Sequence, residues 1–176
     1  MRAAIPELRC GLCSKPLDPA SPFFRATGDF LPKHDALQTF ANVPLHWECY
    51  EAWAERPQFA RHYVLAWIKA NRKNPFWWSV YQDEHVYVSV NPMRTVEQAS
   101  VRLLAVGSDI RVPLPRWAAW LASPLEVTQT LSACEHRALT AVLPALRAKF
   151  PSDHALVDAI DPDEKRAPAP LRRAAE

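Results

Sequence analysis

Cys10 and Cys13 are separated by two residues, and His46 and Cys49 repeat that spacing after 32 intervening residues. Each pair offers a compact bite to one cation, and the segment between them closes into a loop, which is the donor pattern of a tetrahedral zinc site. The spacing predicts one structural Zn2+ ion held by Cys10, Cys13, His46 and Cys49. His34, inside the intervening segment, is the competing imidazole for the place of His46. The start MRAAIPELRC carries no apolar signal stretch, and no run of roughly 18 apolar residues occurs, so a cytoplasmic location and no membrane span are expected. Thiols kept reduced there turn towards metal rather than disulfides.

These residues resemble a treble-clef or LIM-type zinc module, in which a C-x2-C knuckle precedes a helix or second knuckle supplying the other two ligands. The resemblance covers residues 10 to 55. LIM-type modules have a shorter middle segment and a second ligand quartet, both absent here, so only the one-ion geometry carries over. What the resemblance implies for function is protein contact.

Catalytic readings of the same residues fail on spacing. Zinc deaminases use H-x-E with a separate P-C-x-x-C, and His46-Trp47-Glu48 imitates the first half. Here the order is reversed, Arg9 stands in the proline position, and Cys49 fills the corner that a catalytic water needs. There is no G-x-S-x-G elbow and no H-E-x-x-H helix, and Asp161, Asp163 and Glu164 lack calcium-loop spacing. Cys134 reads as an inert buried thiol, because His136, two residues on along a helix, faces away from it. His62 and His85 read as packing or surface residues, and Phe76-Trp77-Trp78 as core.

The elements that must position the ligands follow from periodicity. Prolines 16, 19, 22, 32 and 44 forbid a long helix in residues 1 to 45, which therefore need a staple. A short helix starts at His46 and puts His46 and Cys49 on one face, where helix-start amides favour thiolate charge on Cys49. Pro57 to Lys73 forms a second helix burying Phe59, Tyr63, Val64, Trp67 and Ala70. Beyond it the period drops to two. Trp78 and Val80 lead through a Gln82-Asp83-Glu84 turn to Val86, Val88 and Val90. Val101, Leu103 and Ala105 lead through Gly107-Ser108-Asp109 to Ile110, Val112 and Leu114. A four-stranded antiparallel meander is expected.

Trp117 to Leu121 is an aromatic core segment of open type, helix or edge strand. Ser132 and Glu135 have capping-box spacing, opening an amphipathic helix with Leu139, Val142, Leu143, Leu146 and Phe150 as its stripe and Pro144 inside it. A last helix is expected over Asp153 to Ile160. The fold class is thus α+β: residues 1–73 a zinc-binding module with helical extension, 74–160 an antiparallel sheet with C-terminal helices sharing one core with the first part, and 161–176 a flexible tail.

Composition narrows function by exclusion. At 176 residues, 49% hydrophobic and 23% charged, the chain has ordinary globular usage. Three glycines leave no phosphate-cradling loop, and a net charge of +2 names no polyanionic partner. The abundance of Arg, Ala and Pro points towards a GC-rich bacterial genome. The reading is a non-catalytic, zinc-stabilised protein-binding module, of adaptor or immunity type. A nucleic-acid-binding zinc protein is the alternative, with Arg9, Lys15, Arg25, Lys33, Lys69, Arg72 and Lys73 as its basic face. A zinc hydrolase or deaminase comes third.

Overall fold

The computed structural model describes residues 8–18, 20–28, 30–72, 74, 76–91, 93, 96–124 and 131–160. The expected tail, Lys73 and the three acidic residues Asp161, Asp163 and Glu164 lie outside the described residues. The fold is α+β. Its centre is a four-stranded antiparallel sheet in the order β3 (Trp78–Gln82), β4 (Val86–Asn91), β5 (Gln98–Leu103), β6 (Ser108–Pro113).

Alternation sets the register. Val86, Val88 and Val90 stand opposite Leu103, Val101 and Ala99, which in turn face Ser108, Ile110 and Val112 on β6. Asp83 builds the first turn: its carboxylate accepts the amides of His85 and Val86 at 2.7 and 2.8 Å and the Tyr81 hydroxyl at 2.8 Å. Burial opposes ionisation of Asp83, but those donors hold its pKa below the usual carboxylate value. The register slips between Ser79 and Tyr81, with Val80 as the extra residue. That bulge brings Tyr81 opposite Val88, on the valine face, where its ring meets Phe150 edge-on at 5.8 Å.

Three boundaries differ from the expected ones. Ser108 and Asp109 open β6 instead of sitting in the turn. Ala105 is exposed in that turn, and Leu114 belongs to a 3-10 turn, Leu114–Arg116. Gly107 takes φ +73°, and with this left-handed residue the reversal occupies 104–107, two residues earlier than composition alone implies.

The valine face is covered by α3 (Trp117–Ala122), α4 (Ala133–Lys149) and α5 (Ala155–Asp158), whose Trp117, Trp120, Leu139, Leu146, Phe150 and Leu156 form one apolar cluster with the strands. The open segment at Trp117 is therefore a helix. Arg147 reaches back from α4 and donates to the Leu121 carbonyl at 2.6 and 2.8 Å, satisfying a helix-end acceptor. At the start of α4, Ser132 Oγ accepts the Glu135 amide and the Glu135 carboxylate accepts the Ser132 amide, closing the expected capping box. Ser132→Ala is expected to lower unfolding free energy by about 1 kcal/mol, read as a shifted urea midpoint at constant m-value.

The opposite face is also covered, which alternation does not disclose. All six positions of β4 are buried. Trp67, on α2 (Arg56–Asn71), meets Tyr87 there at 6.2 Å and Arg102 at 3.4 Å, and the polar residues Ser89, Asn91 and Ser100 are buried as well. In α2 the residues Phe59, Ala60, Tyr63, Val64 and Trp67 are buried, whereas Ala70 is exposed near the helix end. A second cluster joins them to Phe24, Leu45, Tyr50 and Leu104, and Trp47 packs against both clusters. Among the described residues no helix is long and apolar enough to cross a membrane.

Candidate metal centre

The first ligand pair sits in a tight reversal. Cys10 donates its amide to the Lys15 carbonyl at 2.9 Å and accepts the Ser14 amide at 2.8 Å, while an isolated antiparallel bridge joins Arg9 to Pro16. Ser14 has φ +60°, and the guanidinium of Arg9 donates to its carbonyl at 3.0 Å. This reversal docks onto the lead-in to β2 (Leu45–His46) through the Gly11 amide and the Pro44 carbonyl, 3.1 Å apart. A Cβ on Gly11 would stand 2.4 Å from Val43 Cγ1, so glycine is needed for close approach. Gly11→Ala is expected to cost about 1–3 kcal/mol and to weaken metal retention, read by melting and by competition with a chromogenic chelator.

The second pair is set by β2 and α1 (Trp47–Ala52). β2 pairs antiparallel with β1 (Phe23–Phe24), His46 opposite Phe23, and α1 begins directly after it. His46 is the residue before the helix and makes no capping bond with its side chain, while Cys49 lies on the first turn. Beneath them Phe24 stacks on Tyr50 with centroids 3.8 Å apart, and the Tyr50 hydroxyl donates to the Val106 carbonyl at 2.9 Å. Those contacts tie the helix carrying Cys49 to the β5–β6 turn.

The four predicted residues converge. The ligand atoms of Cys10, Cys13, His46 and Cys49 all lie within 4.8 Å of one another, an arrangement able to hold one metal ion. Tetrahedral bonds of about 2.3 Å to sulfur and about 2.0 Å to nitrogen place a sulfur and a nitrogen about 3.5 Å apart. His46 Nδ1 stands 3.4 Å from Cys13 Sγ and 3.8 Å from Cys49 Sγ, bracketing that value. His46 Nε2 is 3.1 Å from the Pro16 carbonyl, which accepts and cannot donate. The ring proton therefore belongs on Nε2, and Nδ1 keeps the lone pair that faces the sulfurs.

Electrostatics divide the thiols, and Cys49 does not gain the thiolate character expected from its helix-start position. Burial resists ionisation of Cys10, yet the amides of His46, Cys13 and Leu12 aimed at its sulfur prevail and lower its pKa to about 6. Cys49 is pushed up to about 11, first by burial and then by the neighbouring Cys13 and Cys10. A six-residue helix start does not outweigh two adjacent sulfurs, so the predisposed thiolate is in the knuckle. His46 is raised, chiefly by its hydrogen bond to Cys13.

The remaining sequence candidates lie apart. His34 is exposed and outside the cluster, and Glu48 is exposed on the first turn of α1, also outside it. His62 bonds Asp35 at 3.2 Å, and His85 pairs with Glu84 at the surface. Cys134 is buried against Ser132, and burial raises its pKa. Phe76 is exposed and Trp77 half-buried, so that aromatic run is not core as expected; of the three, Trp78 packs on the valine-face cluster. Reasoning from sequence missed Arg102, buried on the polar side of the sheet, for which period-two alternation offers only a solvent-facing reading. No protein family, curated protein or solved structure matches the chain.

Proposed function

We propose that the chain is a non-catalytic protein-binding module whose N-terminal part is a treble-clef-like unit stapled by one zinc ion. The observation that carries this reading is the donor set: three sulfurs and Nδ1 of His46 lie within 4.8 Å of one another, four donors for the four corners of a tetrahedral ion. Soft thiolates with one imidazole in that geometry suit zinc, and a filled tetrahedron leaves no corner for water or substrate. The order knuckle, two-stranded hairpin, helix supports the treble-clef comparison.

A groove of about 460 Å³ between α2 and the β3 edge supports a protein partner. Leu65, Ile68 and Trp77 give it apolar lining, and the exposed Lys69 and Arg72 stand beside them. Apolar anchoring flanked by two cations suits an acidic segment bearing an apolar side chain. The test is affinity capture with the intact chain, followed by the same capture with Lys69→Glu and Arg72→Glu combined. Loss of a captured acidic partner on charge reversal supports the reading, and an unchanged profile contradicts it.

The nucleic-acid reading is favoured by the same groove, since Trp77 beside Lys69 and Arg72 offers a stacking surface next to phosphate-binding charge. It predicts a gel shift of single-stranded DNA or RNA at low salt that collapses as salt rises. No shift at low salt removes it.

A further inference from the structure

The central sheet is open, and its two margins differ. On β6, Leu114 donates its amide to the Glu97 carbonyl at 2.7 Å, so Pro113, one residue earlier, occupies an outward-facing position and has no N–H to offer there. At the other margin, β3 pairs only with β4 among the described residues, and its sequence WSVYQ contains neither proline nor a charged side chain. Those are the residues that keep an edge from accepting another strand.

The outward groups of β3 follow from its hairpin. Asp83 donates its amide to the Val86 carbonyl at 3.0 Å. Gln82, one residue back and opposite Tyr87, therefore turns its own N–H and C=O away from β4. The bulge at Val80 interrupts the ladder, but Tyr81 to Asp83 remain in regular register. Gln82 and Ser79 are exposed, and both line the groove beside α2.

A chain laid along this edge meets different surroundings on its two faces. On the groove side stand Leu65, Ile68 and Trp77, with the exposed Lys69 and Arg72 next to them. On the valine side the exposed Lys149 lies over Tyr81, 5.8 Å from the ring centroid. No carboxylate is among the described residues that line the groove, and Asp83 beside it is taken up by the amides of His85 and Val86. Successive residues of an extended chain point to opposite faces, so residues i and i+2 enter the groove together and i+1 faces Lys149. Apolar lining with cations on both faces selects a strand that carries an apolar residue among acidic ones.

We propose that β3 accepts an added strand: an extended acidic segment of a partner protein that pairs with the Gln82 backbone. Its apolar side chain lies against Leu65, Ile68 and Trp77, and its carboxylates face Lys69, Arg72 and Lys149. The proposal rests on the protein-partner reading of this groove, and adds the conformation and sequence pattern of the occupant.

The test selects short random peptides on the full, metal-loaded chain and measures the enriched ones by fluorescence polarisation. An apolar residue with Asp or Glu two positions away is expected in them. Gln82→Pro deletes the outward N–H without touching the ladder to β4. Binding should fall at least about tenfold in Gln82→Pro and stay within about twofold in Gln82→Ala, which keeps the backbone donor. Exchange of the Gln82 amide in the parent chain should slow when a peptide binds. Amide resonances of β4 and β5 check that each variant folds; if Gln82→Pro disturbs them, the exchange measurement decides alone. Peptides that require Lys69 and Arg72 yet ignore Gln82→Pro and leave Gln82 exchange unchanged overturn strand addition, while the groove reading stands. Peptides indifferent to charge reversal at Lys69 and Arg72 as well overturn both. No enriched sequence, or an oligothymidylate strand that outcompetes every selected peptide, also overturns the proposal, and the capture with reversed charges then judges the groove reading separately.

Discussion

Stripping the metal with a strong chelator, or replacing Cys10 or Cys49 by serine, is expected to release residues 8–55 while the central sheet stays folded. The regular backbone pairing of this region is short, one bridge at Arg9 and Pro16, the two-residue ladder of β1 with β2 and the turns around Cys10 and Ser14, with Gly11 to Pro44 and Tyr50 to Val106 among its longer ties. Small modules stapled by zinc draw about 10–16 kcal/mol of apparent binding free energy from the ion, comparable to the entire stability of an ordinary domain. What stays behind without it is the aromatic packing of Phe24, Tyr50 and Phe59. Hydrogen exchange followed by mass spectrometry should therefore lose protection across 8–18 and 43–52 by orders of magnitude, with β4 and β5 retaining theirs. Loss of protection in both regions together would mean that the ion staples the whole chain.

The second large effect lies on the other side of the sheet. Trp117 is fully buried, tilted against Trp120 at 5.1 Å, and donates its indole N–H to the Phe150 carbonyl at 2.9 Å. Trp117→Ala opens a cavity where α3, α4 and β6 meet and leaves that carbonyl without its donor. The cavity costs about 3–5 kcal/mol and the bare acceptor about 1–3 kcal/mol more. Against a typical total of about 5–15 kcal/mol, the variant should be marginal or unfolded at 37 °C. Trp117→Phe keeps most of the volume and should fall between the variant and the parent in urea denaturation. A Trp117→Ala protein as stable as the parent would show that the valine-face cluster does not carry the fold.

Local signals account for what could be read in advance. The ligand pairs are each contained in four residues, so spacing alone brings Cys10 to Cys13 and His46 to Cys49; only their convergence depends on the fold. Period-two runs at Val86–Val90 and Val101–Leu103 disclose strands, and Ser132 with Glu135 discloses a helix start. The polar face was illegible for a physical reason. Ser89, Asn91, Ser100 and Arg102 alternate with apolar residues just as solvent-facing positions do, and their burial rests on long-range contacts such as that of Trp67 over Arg102. Arg102 needs Trp67 above it and Asp109 beside it, contacts separated in sequence by 35 and 7 residues. The bulge at Val80 and the earlier reversal at Gly107 moved strand ends by one or two residues, the usual range in which turn geometry overrides periodicity. At the metal centre the thiol ordering depended on which amides point at Cys10, a detail of loop conformation that no spacing contains.

X-ray absorption at the zinc edge, on purified protein with its metal content measured in parallel, is the most direct test of the central claim. One zinc per chain is predicted, with three sulfurs at about 2.3 Å, one nitrogen at about 2.0 Å and no oxygen. Metal-free protein in which residues 8–55 are nonetheless ordered, or an ion carrying an oxygen in place of one of these four side chains, would contradict it.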